Sequence, residues 1–339
     1  MTHSSWNRRE MLWAAGAAGL VGSAPALATG EPPPETKRIR LMRYPIDVAC
    51  SSPMWIAEEM LRAEGFEEVI YVPMTWDRIK TATSNLLETM IGAGEADISI
   101  SEPNAILPSL DAGKQLTVLA GIHGGCFELV GSKVMRSVRD LKGKTIAIGN
   151  DGRRAFVSAM LAHVGLDARK DVTFVESWEG VRLLAEGKVD ATLGFPPEPQ
   201  IMREKNIGVS LVNTAIDRPW SQYFCCLAFG NRDFVAKNPV ATKRALRALL
   251  KATDLCAAEP EKTARTLVQR GFCKDYEHSV QALRAIPYKR WREYDSADSL
   301  RFYALRLHEA GFLKSNPQKL LAQGTNWRFI EQLRKEMKS

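Results

Sequence analysis

The chain has 339 residues, of which 45% are hydrophobic and 25% charged, and its formal net charge is +7. This composition is typical of a globular protein with one large core or two smaller cores, and it excludes general disorder. The basic residues are scattered through helical patterns instead of forming one tract, so we expect no nucleic-acid partner.

The N-terminus has the three parts of a secretory signal peptide. Arg8 and Arg9 precede the apolar stretch MLWAAGAAGLVG, and the Ala26–Ala28 segment suits signal peptidase. The arginine pair is typical of a twin-arginine export signal, although an ordinary secretory signal explains it too. We assign residues 1–28 to a signal peptide and residues 29–37 to a disordered leader. We expect a periplasmic protein without a lipid anchor, since no Cys stands at the cleavage site.

Strands and helices alternate along most of the chain. The strands predicted in chain order are RIRLMRY, EVIYVPM, ADISIS, LTVLAGIHG, KTIAIG, DVTFVES, DATLGF and GVSLVNT. Single helices are predicted over residues 53–65 and 79–94, and another follows the turn GNDGRRAF. This alternation indicates βαβ units and parallel sheets. From Asn238 to the end the pattern is almost entirely helical.

Five segments in collinear order resemble the nitrate/sulfonate/taurine-type solute-binding proteins of ABC importers, a group that also includes proteins similar to a thiamine-pyrimidine synthase. The segments are SSPMWIAEEMLRAEGF, GEADISISEPNAI, DLKGKTIAIGNDG, LAEGKVDATLGFPPEP and FVAKNPVATKRALRALLKA. The resemblance spans residues 38–330. It implies the α/β, two-lobe type 2 periplasmic-binding fold, whose mixed, mostly parallel sheets are joined by two crossing strands and hold ligand between them.

The resemblance also implies the domain boundaries. Lobe 1 comprises residues 38–124 and 226–339, including the C-terminal helices, and lobe 2 comprises residues 125–225. The crossing strands are GCFELVG and YFCCLAFG. We expect a monomer.

The six cysteines contain no CxxC pair and no spacing typical of zinc ligands. We expect the adjacent Cys225 and Cys226 to be small buried side chains of a strand. Some cysteines could form disulfides in an oxidising compartment, but the sequence assigns no pair. We expect no metal and no cofactor.

Polar residues after the strands of lobe 1 are candidates for ligand binding, since open α/β sheets bind ligands at the carboxyl ends of their strands. They are Tyr44, Ser51, Ser52, Glu102, Asn104 and His123. Helix capping explains Ser51, Ser52 and Asn104 equally well. His123 suits a structural role as well as a ligand contact.

In lobe 2, the turn GNDGRRAF lies between a strand and a helix and offers backbone N–H groups to an anion. It lacks both glycine-rich nucleotide motifs, so we exclude a nucleotide. The candidates here are Gly152, Arg153, Arg154, Trp178, Phe195 and Glu198. The arginines could instead solvate the helix surface, and the aromatic residues could belong to the core.

The resulting hypothesis is an exported substrate-binding protein of an ABC transporter that closes its lobes on a small polar solute and delivers it to the membrane permease. The solute classes are sulfonate, nitrate or taurine-like compounds, or a nitrogen heterocycle or zwitterion. Two carboxylates, Glu102 and Glu198, disfavour a simple oxyanion. We expect a protein that is not an enzyme, because no catalytic motif appears; the alternative is a thiamine-pyrimidine-synthase-like enzyme.

Overall fold

Two five-stranded sheets organise the part of the chain that this computed structural model describes, which is residues 30–44, 49–82 and 85–337. The predicted signal peptide lies outside the described residues. All the elements named below belong to the compact unit Pro34–Ser339. Within the described ranges, no helix combines the length and the apolar character needed to cross a membrane.

The strands occur in the order that the alternating pattern predicts. They are β1 (Arg38–Arg43), β2 (Glu68–Pro73), β3 (Ile98–Ser101), β4 (Leu116–His123), β5 (Glu128–Gly131), β6 (Lys144–Ile148), β7 (Val172–Glu176), β8 (Ala191–Gly194), β9 (Val209–Asn213) and β10 (Cys226–Asn231). The first sheet has the order β2-β1-β3-β10-β4 and the second the order β7-β6-β8-β5-β9.

Each sheet mixes parallel and antiparallel pairs. In the first sheet β1 runs parallel to β2 and β3, whereas β10 runs antiparallel to β3 and β4. In the second sheet β6 runs parallel to β7 and β8, whereas β5 runs antiparallel to β8 and β9. The residues of β3 and β10, in the middle of the first sheet, and those of β4, at its edge, are buried throughout. The predicted α/β fold with two mixed sheets is confirmed.

Helices connect the strands and form most of the C-terminal region. They are α1 (Ser52–Ile56), α2 (Glu58–Ala63), α3 (Trp76–Thr81), α4 (Leu86–Gly92), α5 (Pro103–Asp111), α6 (Asp151–His163), α7 (Gly180–Ala185), α8 (Glu198–Glu204), α9 (Arg232–Lys237), α10 (Pro239–Ala258), α11 (Pro260–Gln269), α12 (Tyr276–Ala285), α13 (Ser296–Glu309), α14 (Pro317–Gly324) and α15 (Arg328–Glu336). Short 3₁₀ segments lie at Ala49–Ser51 and Tyr288–Arg292.

Two predicted single helices are wrong. The helix predicted over residues 53–65 is divided at Ala57 into α1 and α2. The helix predicted over residues 79–94 is two short helices, because Ala82 takes an extended conformation (ψ 129°) that ends α3. The TATS sequence between them contains residues of low helix propensity. Their low propensity interrupts the single helix that the apolar periodicity on either side predicts.

The leader predicted for residues 29–37 is anchored at its C-terminal end. Both carboxylate oxygens of Glu35 accept hydrogen bonds from the first turn of α10, at 2.9 Å from the Val240 N–H and 2.8 Å from the Ala241 N–H. These bonds satisfy backbone donors that a helix N-terminus leaves unpaired. Glu35, next to β1, is therefore held by hydrogen bonds, and the predicted bounds of the leader stay a prediction.

The two segments that cross between the sheets lie side by side. The Cys225 N–H donates to the His123 carbonyl at 3.0 Å, and the Thr214 N–H donates to the Phe127 carbonyl at 2.9 Å. A Cβ on Gly125 would lie 1.9 Å from the Thr214 carbonyl oxygen, so only glycine fits where the first crossing segment packs against the residue after β9. The exact lobe boundaries at residues 124/125 and 225/226 stay a prediction.

A charged pair fixes β1 against the start of β3. The Asp97 carboxylate accepts from the Arg40 backbone N–H at 2.7 Å and from the Arg40 guanidinium at 2.5 Å, and the Asp97 side chain is 4% exposed. Burying a carboxylate is costly unless hydrogen bonds and an opposite charge replace its contacts with water. This pair sets the register of the two strands whose carboxyl ends lead into the candidate site.

We predict that Asp97→Ala lowers the free energy of unfolding by about 2–4 kcal/mol, because it leaves the Arg40 donors unpaired. Glu309→Ala is the control, since Glu309 pairs with Arg306 at an exposed position; it should change stability by less than about 0.5 kcal/mol. Urea unfolding followed by circular dichroism measures both. Equal effects of the two substitutions would contradict a structural role for Asp97.

Candidate functional site

A cavity of about 500 Å³ lies where the carboxyl ends of strands from both sheets meet. Its lining includes Tyr44, Cys50, Ser51, Asn85, Glu88, Ser101, Glu102, Phe127, Asn150, Asp151, Arg153, Glu176, Ser177, Trp178, Phe195 and Cys226. Most of these residues stand directly after β1, β3, β6, β7 and β8. The size suits a small molecule, and the position is the one where open α/β sheets bind ligands.

Arg153 brings a positive charge to this cavity. Asn150 caps α6 by accepting a hydrogen bond from the Arg153 N–H at 2.8 Å, and this cap orients the first turn. The guanidinium carbon lies 4.0 Å from the ring centroid of Phe195 and 4.7 Å from that of Trp178. Both contacts are within cation–π range.

The Arg153 guanidinium has no hydrogen-bond acceptor among the described residues, although the residue is only 6% exposed. Burial lowers its pKa, and the charges of Glu198 and Glu102 act in the opposite direction. An arginine keeps its charge in proteins. The two aromatic rings therefore hold a cation that still has N–H groups to donate into the cavity.

Acidic groups line the same cavity at the end of β3. The Ser101 hydroxyl lies 2.6 Å from a Glu88 carboxylate oxygen and 3.3 Å from one of Glu102. Removal from water raises the pKa of Glu102 to about 7, and the charge of Glu88 adds to the shift. Burial likewise raises the pKa of Glu88. Near neutral pH, Glu102 is therefore present both as carboxylate and as carboxylic acid.

Six of the predicted site residues line the cavity. They are Tyr44, Ser51, Glu102, Arg153, Trp178 and Phe195. The other six, Ser52, Asn104, His123, Gly152, Arg154 and Glu198, are not among the lining residues. The roles predicted for all twelve in ligand binding stay predictions.

Asn104 and Gly152 connect the elements on either side of the cavity. The Asn104 amide donates to the Gly152 carbonyl at 2.8 Å, so this side chain does not cap its own helix. A Cβ on Gly152 would lie 3.1 Å from the Cβ of Ala105, tighter than an ordinary contact. Glycine thus permits the close approach of α5 and α6 at which the interlobe hydrogen bond forms.

The remaining predicted residues have other partners. Arg154 donates to Glu176 at 2.6 Å and lies over the Phe174 ring, on the partly exposed side of α6. The Ser52 hydroxyl donates to the Ala49 carbonyl at 2.5 Å. Glu198 accepts from the Phe195 N–H at 3.1 Å. These bonds shape the turns around the cavity.

His123 lies at the centre of a cysteine cluster that sequence spacing does not reveal. One ring nitrogen of His123 and the sulfur atoms of Cys50, Cys126 and Cys226 all lie within 4.8 Å of one another, and all four residues are buried. The Cys225 sulfur is 3.0 Å from that of Cys126. Cys225 and Cys226 are buried as predicted, but they belong to a group of sulfur and imidazole atoms instead of an apolar strand face.

Comparison with known proteins gives a family match. The family model described as NMT1/THI5 like matches residues 78–263, which is more than half of the chain.

Among curated proteins, the chain is 27% identical over 188 residues to 4-amino-5-hydroxymethyl-2-methylpyrimidine phosphate synthase THI12 of Saccharomyces cerevisiae. A synthase of the same name from Candida albicans is 24% identical over the same length. These alignments cover 51% of this chain and 55% of the relatives, so the chain spans about half the length of the curated proteins it matches.

Among solved structures, the chain resembles the alkanesulfonate-binding protein SsuA of Xanthomonas axonopodis pv. citri bound to MOPS, with a TM-score of 0.68 at 18% identity, covering 88% of this chain and 99% of that one. It also resembles the periplasmic nitrate-binding protein NrtA of Synechocystis PCC 6803, with a TM-score of 0.70 at 12% identity, covering 91% and 90% of the two chains. These structures share the fold, and they confirm the predicted two-lobe architecture.

One expectation needs correction. The sequence analysis expects a protein that is not an enzyme, because no catalytic motif was found. The curated relatives are named as synthases, and this finding overturns that expectation. The absence of a known catalytic motif does not exclude an enzyme, because one fold serves many activities.

The pKa of Glu102 gives a pH-dependent contribution to stability. Since the pKa rises from 4.5 to about 7 on folding, the folded state binds the proton more tightly. The contribution of Glu102 to stability is therefore fully present below pH 4.5 and is lost as the pH rises through about 7. Because Glu102 keeps partial contact with solvent, we expect the loss to be on the order of 2 kcal/mol.

We predict that Glu102→Gln, which stays neutral, removes this loss. The stability of the variant relative to wild type should rise by about 2 kcal/mol between pH 4.5 and pH 8. Urea unfolding at the two pH values measures it, with the exposed Glu59→Gln as control. A constant difference between Glu102→Gln and wild type across this range would show that the folded state does not favour protonated Glu102.

Proposed function

The chain belongs to the NMT1/THI5-like family, and we propose that it is an exported, periplasmic receptor that binds a small solute in the cavity between its sheets. We further propose that it delivers this solute to the permease of an ABC importer. The similarity in fold to proteins described as alkanesulfonate-binding and nitrate-binding supports a solute-binding role.

The observation that carries the proposal is the buried Arg153 guanidinium. Its hydrocarbon and π surfaces are covered by Phe195 and Trp178, yet its N–H groups have no acceptor among the described residues. These N–H groups open onto the cavity, where they are available to an acceptor that enters it. A sulfonate or carboxylate group of the solute supplies the missing acceptors through charge-assisted hydrogen bonds.

The acidic groups suggest a second feature of the solute. Glu88 and Glu102 line the same cavity as Arg153 and accept only the Ser101 hydroxyl among side-chain donors of the described residues. A solute with a nitrogen donor as well as an acidic group complements both charges. We therefore favour a zwitterion of the taurine or amino-acid type over nitrate or sulfate.

Contacts across the cavity support closure as the way in which the solute is held. Asn104 donates to the Gly152 carbonyl, and the Trp76 ring lies edge-on to that of Trp178 with centroids 6.4 Å apart. Further contacts join the same two sides, including the bond from the Ala49 N–H to the Pro196 carbonyl at 3.2 Å and the His278–Glu204 pair at 2.5 Å. A bound solute would add its own contacts to those of the closed form.

We predict that a thermal-shift screen with sulfonates, nitrate, sulfate, amino acids, aromatic acids and pyrimidines selects a solute bearing an acidic group, since a ligand at 100 times its Kd adds about 2.7 kcal/mol to stability. For that solute, Arg153→Ala should weaken binding by about 1.5–3 kcal/mol, a loss of about 10- to 150-fold in affinity.

The adjacent Arg154→Ala is the matched control, because Arg154 pairs with Glu176 and does not line the cavity. It should keep wild-type affinity in titration calorimetry. If both variants bind like wild type, or if the selected solute has no acidic group, the receptor site proposed around Arg153 is wrong.

The curated relatives favour a second candidate function, synthesis of 4-amino-5-hydroxymethyl-2-methylpyrimidine phosphate. The cysteines and histidine beside the cavity offer reactive groups for such chemistry, with Cys50 and Cys226 in its lining. Expression of the chain in a host that requires this pyrimidine tests the candidate. Growth without added pyrimidine supports it, and lack of growth despite folded protein contradicts it.

A further inference from the structure

Three separate parts of the chain contribute to the cluster of sulfur and imidazole groups at the floor of the cavity. Cys50 lies in the 3₁₀ turn after β1, His123 ends β4, Cys126 lies in the first crossing segment and Cys226 begins β10. Cys226 is paired with His123 in the β4–β10 ladder. The four residues are between 0% and 6% exposed.

The spacing of these atoms suits one tetrahedral metal ion. The ligand atoms all lie within 4.8 Å of one another. In a tetrahedral zinc site with Zn–S distances near 2.3 Å, ligand atoms are separated by about 3.8 Å. Inward movements of about 1 Å or less by these side chains bring all four to bonding distance.

The contacts of His123 indicate that a positive charge belongs here. Its Nδ1 lies 2.6 Å from the Gly124 carbonyl oxygen and its Nε2 lies 3.2 Å from the Cys50 carbonyl oxygen. A neutral imidazole has only one N–H, so either tautomer leaves one buried ring nitrogen facing an acceptor. With Nδ1–H donating to Gly124, Nε2 is free to bind a metal, and the carbonyl fixes the ring as in many metal sites.

We propose that Cys50, His123, Cys126 and Cys226 form a four-coordinate site for a zinc-type divalent ion. Three sulfur ligands and one imidazole favour zinc and disfavour magnesium and calcium, which require oxygen ligands. Four protein ligands complete the coordination, so the site is structural. The ion joins the turn after β1 to both crossing segments, at the point where one lobe turns relative to the other.

A disulfide is the competing explanation for part of the cluster. The Cys126 and Cys225 sulfur atoms are 3.0 Å apart, and a bond between them would remove Cys126 from the ligand set. Cys225 is not one of the four residues of the metal-ligand group. Substitution of Cys225 therefore separates the two explanations, because it abolishes the disulfide and leaves the four metal ligands intact.

The test uses the full chain, reduced and freed of metal by a chelator, and titrated with Co²⁺ as a spectroscopic substitute for zinc. We expect one equivalent of Co²⁺ to bind with thiolate-to-cobalt charge-transfer bands and the intense visible bands of tetrahedral cobalt, and Zn²⁺ to displace it. Cys50→Ser, Cys226→Ser and His123→Gln should each weaken metal binding by about 100-fold or more. Cys225→Ala and the buried Cys256→Ala should bind like wild type.

Circular dichroism establishes that each variant is folded. If a ligand variant does not fold, protection of Cys50 from alkylation by Zn²⁺ in the wild-type chain provides the readout instead, with protection supporting the site and unchanged alkylation contradicting it. The proposal is overturned if the reduced wild type binds no Co²⁺ with tetrahedral thiolate spectra. It is also overturned if folded ligand variants bind normally, or if Cys225→Ala loses metal as completely as they do.

Discussion

The burial of the Arg153 guanidinium between two aromatic rings is the constraint around which the candidate site is organised. The fold covers the nonpolar faces of this cation with Phe195 and Trp178 and supplies it with no acceptor among the described residues. Its nitrogen atoms open onto the cavity, and in the proposed receptor an anionic group of the solute accepts their hydrogen bonds. The Asn150 cap orients the turn that carries Arg153, and the acidic groups at the end of β3 line the same cavity, so in the proposed receptor both would face the solute.

Beside the cavity, the first segment that crosses between the sheets packs closely against the residue that follows β9. Gly125 lies directly against the Thr214 carbonyl, and the cysteines and His123 lie beside this junction. A hinge must allow rotation while preserving the path of both segments. The proposed closure would rotate the lobes about this junction, and the proposed metal ion would hold the two segments together there.

Most of the fold could be predicted from the sequence, because the periodicity of apolar residues that identifies strands and helices is a local property of the chain. Alternating strands and helices predicted the sheets, and the rule that parallel strands present ligand-binding loops at their carboxyl ends directed attention to Glu102, Arg153 and Trp178. The sequence could not choose between Arg153 and Arg154, since neighbouring helical residues point about 100° apart and only tertiary packing determines which one faces the cavity.

Glu88 was missed because the helix around it was predicted as one continuous element. The proximity of Cys50, His123 and Cys226 was missed because it depends on strand pairing between distant segments.

The central claim is that an acidic solute bound at Arg153 closes the two lobes. Small-angle X-ray scattering of the wild-type chain, with and without a saturating concentration of the solute selected by the screen, tests it most directly. We expect a smaller radius of gyration with solute and unchanged far-ultraviolet circular dichroism, because closure rotates the lobes without altering their secondary structure. An identical scattering profile in the two conditions, at a solute concentration at which calorimetry shows full occupancy, would contradict it.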